Sequence, residues 1–146
     1  MKSNDNIFYA FALILKTYRE FMNTKLSIHG LAPAEIAVLV YLVNNSDLET
    51  TANDIVKGRG LSKSHVSMSV NSLIKKGIIK SKTNTNDKRS ILLNIRNWES
   101  PIILEINRAN AEFKELCMKE IDDASMEVTK ITLNRMLSNL EDWREL

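Results

Sequence analysis

The sequence predicts a mainly α fold carrying one small β-hairpin. Three observations support that class. Gly and Pro number only 4 and 2 among 146 residues, too few for a turn-rich β architecture. Apolar residues recur at three- and four-residue spacing through most of the chain. One stretch, 78–95, instead has short β-prone runs around a polar turn.

Residues 5–24 begin the helical pattern, with Ile7, Phe8, Phe11, Ile14, Leu15, Tyr18, Phe21 and Met22 on one stripe that can continue toward His29. Gly30 breaks it. Pro33 suits the first turn of a second helix reaching Asn44, with Ile36, Leu39, Val40 and Val43 on one face. Residues 44–50 are polar and read as a loop. Thr51 and Asp54 have capping-box spacing and open a short helix through Ile55 and Val56 that ends at Gly58 or Gly60. Ser62 caps a longer helix ending at Gly77, with Val66, Val70, Leu73 and Ile74 facing inward. A short helix, a Gly-containing turn and a longer helix form a helix-turn-helix.

Ile78–Lys82 and Ser90–Ile95 then read as strands around the turn Thr83–Asp87, where the wing of a winged helix-turn-helix belongs. Pro101 opens a long helix with Ile102, Ile103, Ile106, Ala109, Phe113, Leu116 and Cys117 along one side. Asp122–Ser125 mark a turn, and a last helix carries Val128, Ile131, Met136, Leu137, Leu140 and Trp143. The stripes at 7–22, 102–117 and 128–143 are too wide for a winged region to cover, which points to a homodimer. The expected organisation is a single domain, 1–146. Its residues about 1–30 and 100–146 are N- and C-terminal dimerisation helices around a winged region at about 31–98.

Composition narrows the function. No apolar run approaches the ~18 residues that span a membrane. The N-terminus lacks the basic start and cleavage site of a signal peptide. The single cysteine, Cys117, cannot form an internal disulfide and reads as a small core or interface residue. A cytoplasmic protein without membrane contact is expected. His29 and His65 lie in different elements without nearby Cys or paired carboxylates, and no glycine loop matches a phosphate-binding pattern. No enzyme activity, cofactor or metal is expected.

Charge is unevenly placed. Residues 57–96 hold ten Lys/Arg against one acidic residue, Asp87, a balance of +9, while 1–56 stand at −2 and 97–146 at −5. A basic middle between acidic flanks suits a polyanion, although a solvated basic surface gives the same count. The helix after Ser62 turns Lys63, Ser64, Ser67, Met68, Asn71 and Lys75 away from its apolar face, with His65 in its first turn. Short polar side chains let a helix lie close in a major groove, and Met68 can touch a thymine methyl. The plainer alternative is an amphipathic surface helix. Lys75 and Lys76 read as phosphate contacts. The hairpin adds Lys82, Lys88 and Arg89, and an arginine at such a tip can enter a narrow A·T-rich minor groove. Asp87 is placed to hold the Arg89 guanidinium by a charge-assisted pair. A solvated hairpin with a local salt bridge is the alternative.

Together, Asp54-Ile-Val-Lys-Gly-Arg-Gly-Leu-Ser-Lys-Ser-His-Val-Ser67, Leu73-Ile-Lys-Lys-Gly-Ile-Ile79, and Asp87-Lys-Arg89 followed by Ile91-Leu-Leu-Asn-Ile95 resemble the MarR family of winged-helix regulators. The resemblance implies a dimer built from the first and last two helices, Ser62–Met68 at the major groove, and Arg89 in the minor groove. It implies a pseudopalindromic double-stranded DNA site, commonly repression, and release by a small aromatic or anionic effector held between the dimer helices and the winged region. Tyr18, His29 and Trp98 lie near those junctions, although each is also a plausible packing or surface residue. The chain departs from the family at Met68, where many members carry Arg, and at Arg59, where many carry an apolar residue. The competing function is a winged helix used for protein–protein contact without DNA binding.

Overall fold

A computed structural model describes residues 6–145. The chain divides into two compact units, one running to Phe113 and one from Lys114 onward.

In the first unit, α1 spans Ile7–Leu26, and a 3-10 turn at Ser27–His29 replaces the last part of the expected helix. Asn6 caps α1 by accepting the Phe8 and Tyr9 N–H groups. Gly30, at φ 71°, reverses the chain in a conformation that costs glycine nothing. Next comes α2, Pro33–Asn44, which buries eight of its twelve residues. A two-residue strand, β1 (Thr50–Thr51), stands where a loop was expected. Thr51 and Asp54 form the anticipated capping box on α3, Ala52–Arg59. Helix α4 covers Lys63–Lys75. Strands β2 (Ile79–Thr83) and β3 (Ile91–Ile95) follow, and α5 begins at Pro101 and ends at Cys117.

The sheet is antiparallel in the order β1-β3-β2. Thr51 pairs with Leu92, and Ile79 through Thr83 pair with Ile95 back to Ile91. Alternation places Leu93 and Ile95 against a core containing Leu26, Val38, Leu39, Ile55, Val66, Leu73, Ile103 and Ile106. One inward assignment fails: Ile74 is 36% exposed, and Ser69 is buried. A helix turns 100° per residue, so the face set by Val66, Val70 and Leu73 passes through Ser69 and leaves Ile74 at its margin. Gly58 lets α3 approach α2, because a Cβ there would lie 2.5 Å from the Tyr41 ring.

In the second unit, α6 spans Asp123–Asn139 and α7 spans Glu141–Glu145. The expected turn at Asp122–Ser125 is instead the start of α6. Asp122 accepts the Ser125 N–H at 2.6 Å, a helix cap rather than a reversal. The expected single last helix is divided at Leu140, whose N–H bonds Leu137 in a tightened turn. Cys117 is exposed, so within the chain it is no core residue.

Candidate nucleic-acid interface

The Ser62 hydroxyl accepts the His65 N–H at 3.1 Å and fixes where α4 begins. Burial of Val66, Ser69, Val70 and Leu73 sets its rotation. Lys63, Ser64, His65, Ser67, Met68, Asn71 and Lys75 are consequently all exposed, as are Ser62 and Lys82. Met68 is 70% exposed, an apolar side chain left in water on an otherwise polar face.

The hairpin turn is built by its own side chains. Asn84 accepts the Asn86 N–H, and Ser90 closes the turn through Asp87 O and Asn84 Nδ2. Asp87 does not pair with the Arg89 guanidinium as expected. Its Oδ1 accepts the Arg89 backbone N–H at 3.0 Å. A short carboxylate two residues before an N–H makes this local ring more readily than it reaches a long, mobile side chain. Lys88 and Arg89 are exposed.

Between α4 and the hairpin lies a cleft of about 710 Å3. Lys63, Ser67, Asn71 and Arg89 line it, over Val66, Val70 and Leu93, and Ile74 forms part of its wall. Four of the expected DNA contacts thus surround one concavity. Ser64, His65, Met68, Lys75, Lys82, Asp87 and Lys88 lie outside it on exposed surface.

The three junction residues are not brought together in the same way. The half-buried Tyr18 hydroxyl donates to Asn110 Oδ1 and accepts from Asn44 Nδ2 at 2.9 Å. Asn110 Nδ2 reaches Asn44 Oδ1 at 2.9 Å and closes a triangle across α1, α2 and α5. The Tyr18 ring lies 5.0 Å from that of Phe113. His29 is exposed at the end of the 3-10 turn, and Trp98 is 42% exposed beyond β3.

Two arginines near Tyr18 escaped the sequence reading in this role. The Nε atoms of Arg19 and Arg59 are buried without a hydrogen-bond partner. Burial lowers the Arg59 guanidinium pKa first, and the like charge of Arg19 lowers it further, against an opposing influence of Tyr18. Arg59 is thus partly buried, with Arg19 and Tyr18 close enough to act on its charge. The missed signal was a charged residue, Arg19, at the edge of the apolar stripe of α1. Among the described residues, no cluster of three or more His, Cys, Asp or Glu is placed to hold a metal ion.

Residues 29–90 match the model of the MarR family. The winged region is thus similar to the MarR family. The match contains α2, α3, α4, the first strand of the hairpin and the Asp87–Arg89 turn. No curated protein matches the chain. Solved MarR family structures match nearly all of it. A MarR family transcriptional regulator from Listeria monocytogenes, complexed with 26mer DNA, has 19% identity and a TM-score of 0.75, over 95% of this chain and 91% of that one. A MarR family regulator from Silicibacter pomeroyi has 16% identity and a TM-score of 0.76, over 91% and 88%. A SlyA-like transcription regulator, also from Listeria monocytogenes, has 20% identity and a TM-score of 0.73, over 97% and 91%. At these identities the likeness is one of fold. Among the described residues, no single helix is long and apolar enough to cross a membrane.

Proposed function

We propose that this protein is a sequence-specific, double-stranded DNA-binding transcriptional repressor that acts in the cytoplasm as a homodimer on a pseudopalindromic operator. The observation that carries the reading is the exposed face of α4, Lys63 to Lys75, beside an exposed basic hairpin. An α-helix with short polar side chains fits the major groove, and its N-terminal N–H groups favour phosphate. Lys63, Ser64, Ser67 and Asn71 read base edges, with Ser62 and His65 at the backbone and Met68 against thymine methyls. Lys75, Lys82 and Lys88 contact phosphates, Arg89 enters the minor groove, and Asp87 shapes the turn that presents it. The family match over residues 29–90 and the DNA-bound relative support a DNA-binding reading of this region.

Dimerisation is supported by apolar side chains left in water: Phe8 and Ile14 on α1, and Val128 and Ile131 on α6. A small aromatic or anionic effector is the proposed release signal. The unpaired Nε groups of Arg19 and Arg59 beside Tyr18 suit a carboxylate. His29 and Trp98 then serve as outer contacts. Aromatic carboxylates that raise the melting temperature and release DNA would support this, and a failure of both removes the effector.

The deciding experiment is enrichment of duplexes from a random pool, followed by titration across salt concentrations. Affinity should fall steeply with salt, with a log–log slope set by the number of phosphates neutralised. A protein that enriches no duplex is instead a winged protein-interaction module.

A further inference from the structure

We propose that Glu35 is a positioning residue for DNA recognition: its carboxylate locks the C-terminal end of α4 to the N-terminus of α2 and so fixes how α4 meets the duplex. The inference rests on the DNA-binding reading of α4.

Glu35 is 7% exposed, at the third position of α2. Its Oε1 accepts the Ala32 N–H at 3.1 Å, one of the orphan donors of a helix start. Its Oε2 accepts the Ser72 hydroxyl at 2.9 Å. The Lys76 ammonium donates to both oxygens, at 3.2 and 2.9 Å. Ser72 and Lys76 lie one turn apart at the end of α4, so the carboxylate grips a face of the helix rather than a single atom.

Apolar contact through Val66, Val70 and Leu73 holds α4 on the core, but such contact has little directionality. Hydrogen bonds have narrow geometry, so a small rotation or slide of α4 breaks this set while leaving the apolar face covered. The Lys76 side chain is 41% exposed, so the ion pair by itself adds little stability. The gain from a charged pair is a single register for the helix. Burial pushes the Glu35 pKa up, yet the bonds from Lys76, Ala32 and Ser72 prevail and hold it below its ordinary value.

The consequence separates two adjacent lysines. Lys75 is exposed and free for phosphate, whereas Lys76 is held by Glu35. The sequence treats them alike.

The test compares wild type with Glu35→Gln, Lys76→Met and the double variant, on the duplex enriched by wild type and on a scrambled one. The ratio of the two affinities is unaffected by the fraction of folded protein. Each single variant should lose about tenfold in that ratio, comparable to one mismatched base pair. The double variant should lose no more than either single. Lys76→Met should leave the salt slope unchanged. A slope shallower by about one, with the ratio intact, makes Lys76 a phosphate contact and overturns the proposal. An unchanged ratio in Glu35→Gln overturns it too. Ser72→Ala keeps the ion pair and should lose a smaller part of the ratio, which serves if Glu35→Gln does not fold. Amide exchange in the free protein should quicken over 72–76 in Glu35→Gln but not in α5. That arm needs no DNA, so it decides the clamp even if no duplex is enriched, an outcome that removes the DNA reading instead. Unchanged exchange overturns the clamp.

Discussion

Helices α2 and α6 both carry large apolar residues, yet α2 buries eight of twelve residues and α6 none of seventeen. The difference lies in pattern. Ile36 to Val40 form an unbroken apolar run, so α2 is apolar on every side and only the centre of a domain suits it. In α6, Val128, Ile131 and Leu137 are separated by Thr, Lys, Asn and Arg, and these three are 64%, 61% and 52% exposed. Apolar side chains left this exposed favour a surface that covers them. The first helix specifies its own fold, and the second is proposed to specify a second copy.

The largest effect expected from this contrast belongs to α6. Replacing Ile131 and Leu137 together by Glu should give a 16.6 kDa monomer in sedimentation at micromolar concentration. Operator affinity should fall about 10²–10⁴-fold, since two half-sites no longer act together. A variant that stays dimeric breaks the contrast. The mirror experiment is Leu39→Ala in α2, where Leu39 is 0% exposed. It should cost about 2–5 kcal/mol in denaturant unfolding and leave the oligomeric state of the folded fraction unchanged.

Smaller effects sharpen the division of labour within the winged region. Arg89→Ala should weaken binding to most duplexes, most of all those with A·T-rich flanks. Asp87→Ala should retain the guanidinium but lose the bond to the Arg89 N–H, worth about 0.5–1.5 kcal/mol, and so reproduce only part of that loss. Titrations on flank-swapped duplexes separate the two. Equal and flank-independent losses would make the turn, not the arginine, the functional element. The smallest effect is acid dependence. The Glu35 pKa is lowered in the fold, so its contribution is present at neutral pH and fades as pH falls through the folded value. The gap in Tm between wild type and Glu35→Gln should therefore narrow in acid.

Local chemistry made the helix-turn-helix legible. Ser62, Thr51 with Asp54, and the glycines at positions 60 and 77 mark boundaries through bonds and dihedrals that span only a few residues. What stayed hidden depends on distant partners. Strand β1 has two residues and exists because Thr50 and Thr51 find Leu93 and Leu92. Glu35 and Lys76 are 41 positions apart, and no local pattern distinguishes Lys76 from Lys75. The Tyr18–Asn44–Asn110 triangle joins three helices that periodicity treats separately. Among the site residues, exposure of the α4 face followed from its apolar stripe. Asp87 was misread because two bonding partners lay within its reach and only geometry chose between them.

Thr51 belongs to two elements at once, as the partner of Leu92 in the sheet and as the cap of α3. The hairpin is therefore geared to the helix-turn-helix at its root. A tilt of β3 pulls on Thr51 and hence on the first turn of α3, which packs on α4. On the proposed DNA-binding reading, the hairpin and α4 therefore meet the duplex as one unit.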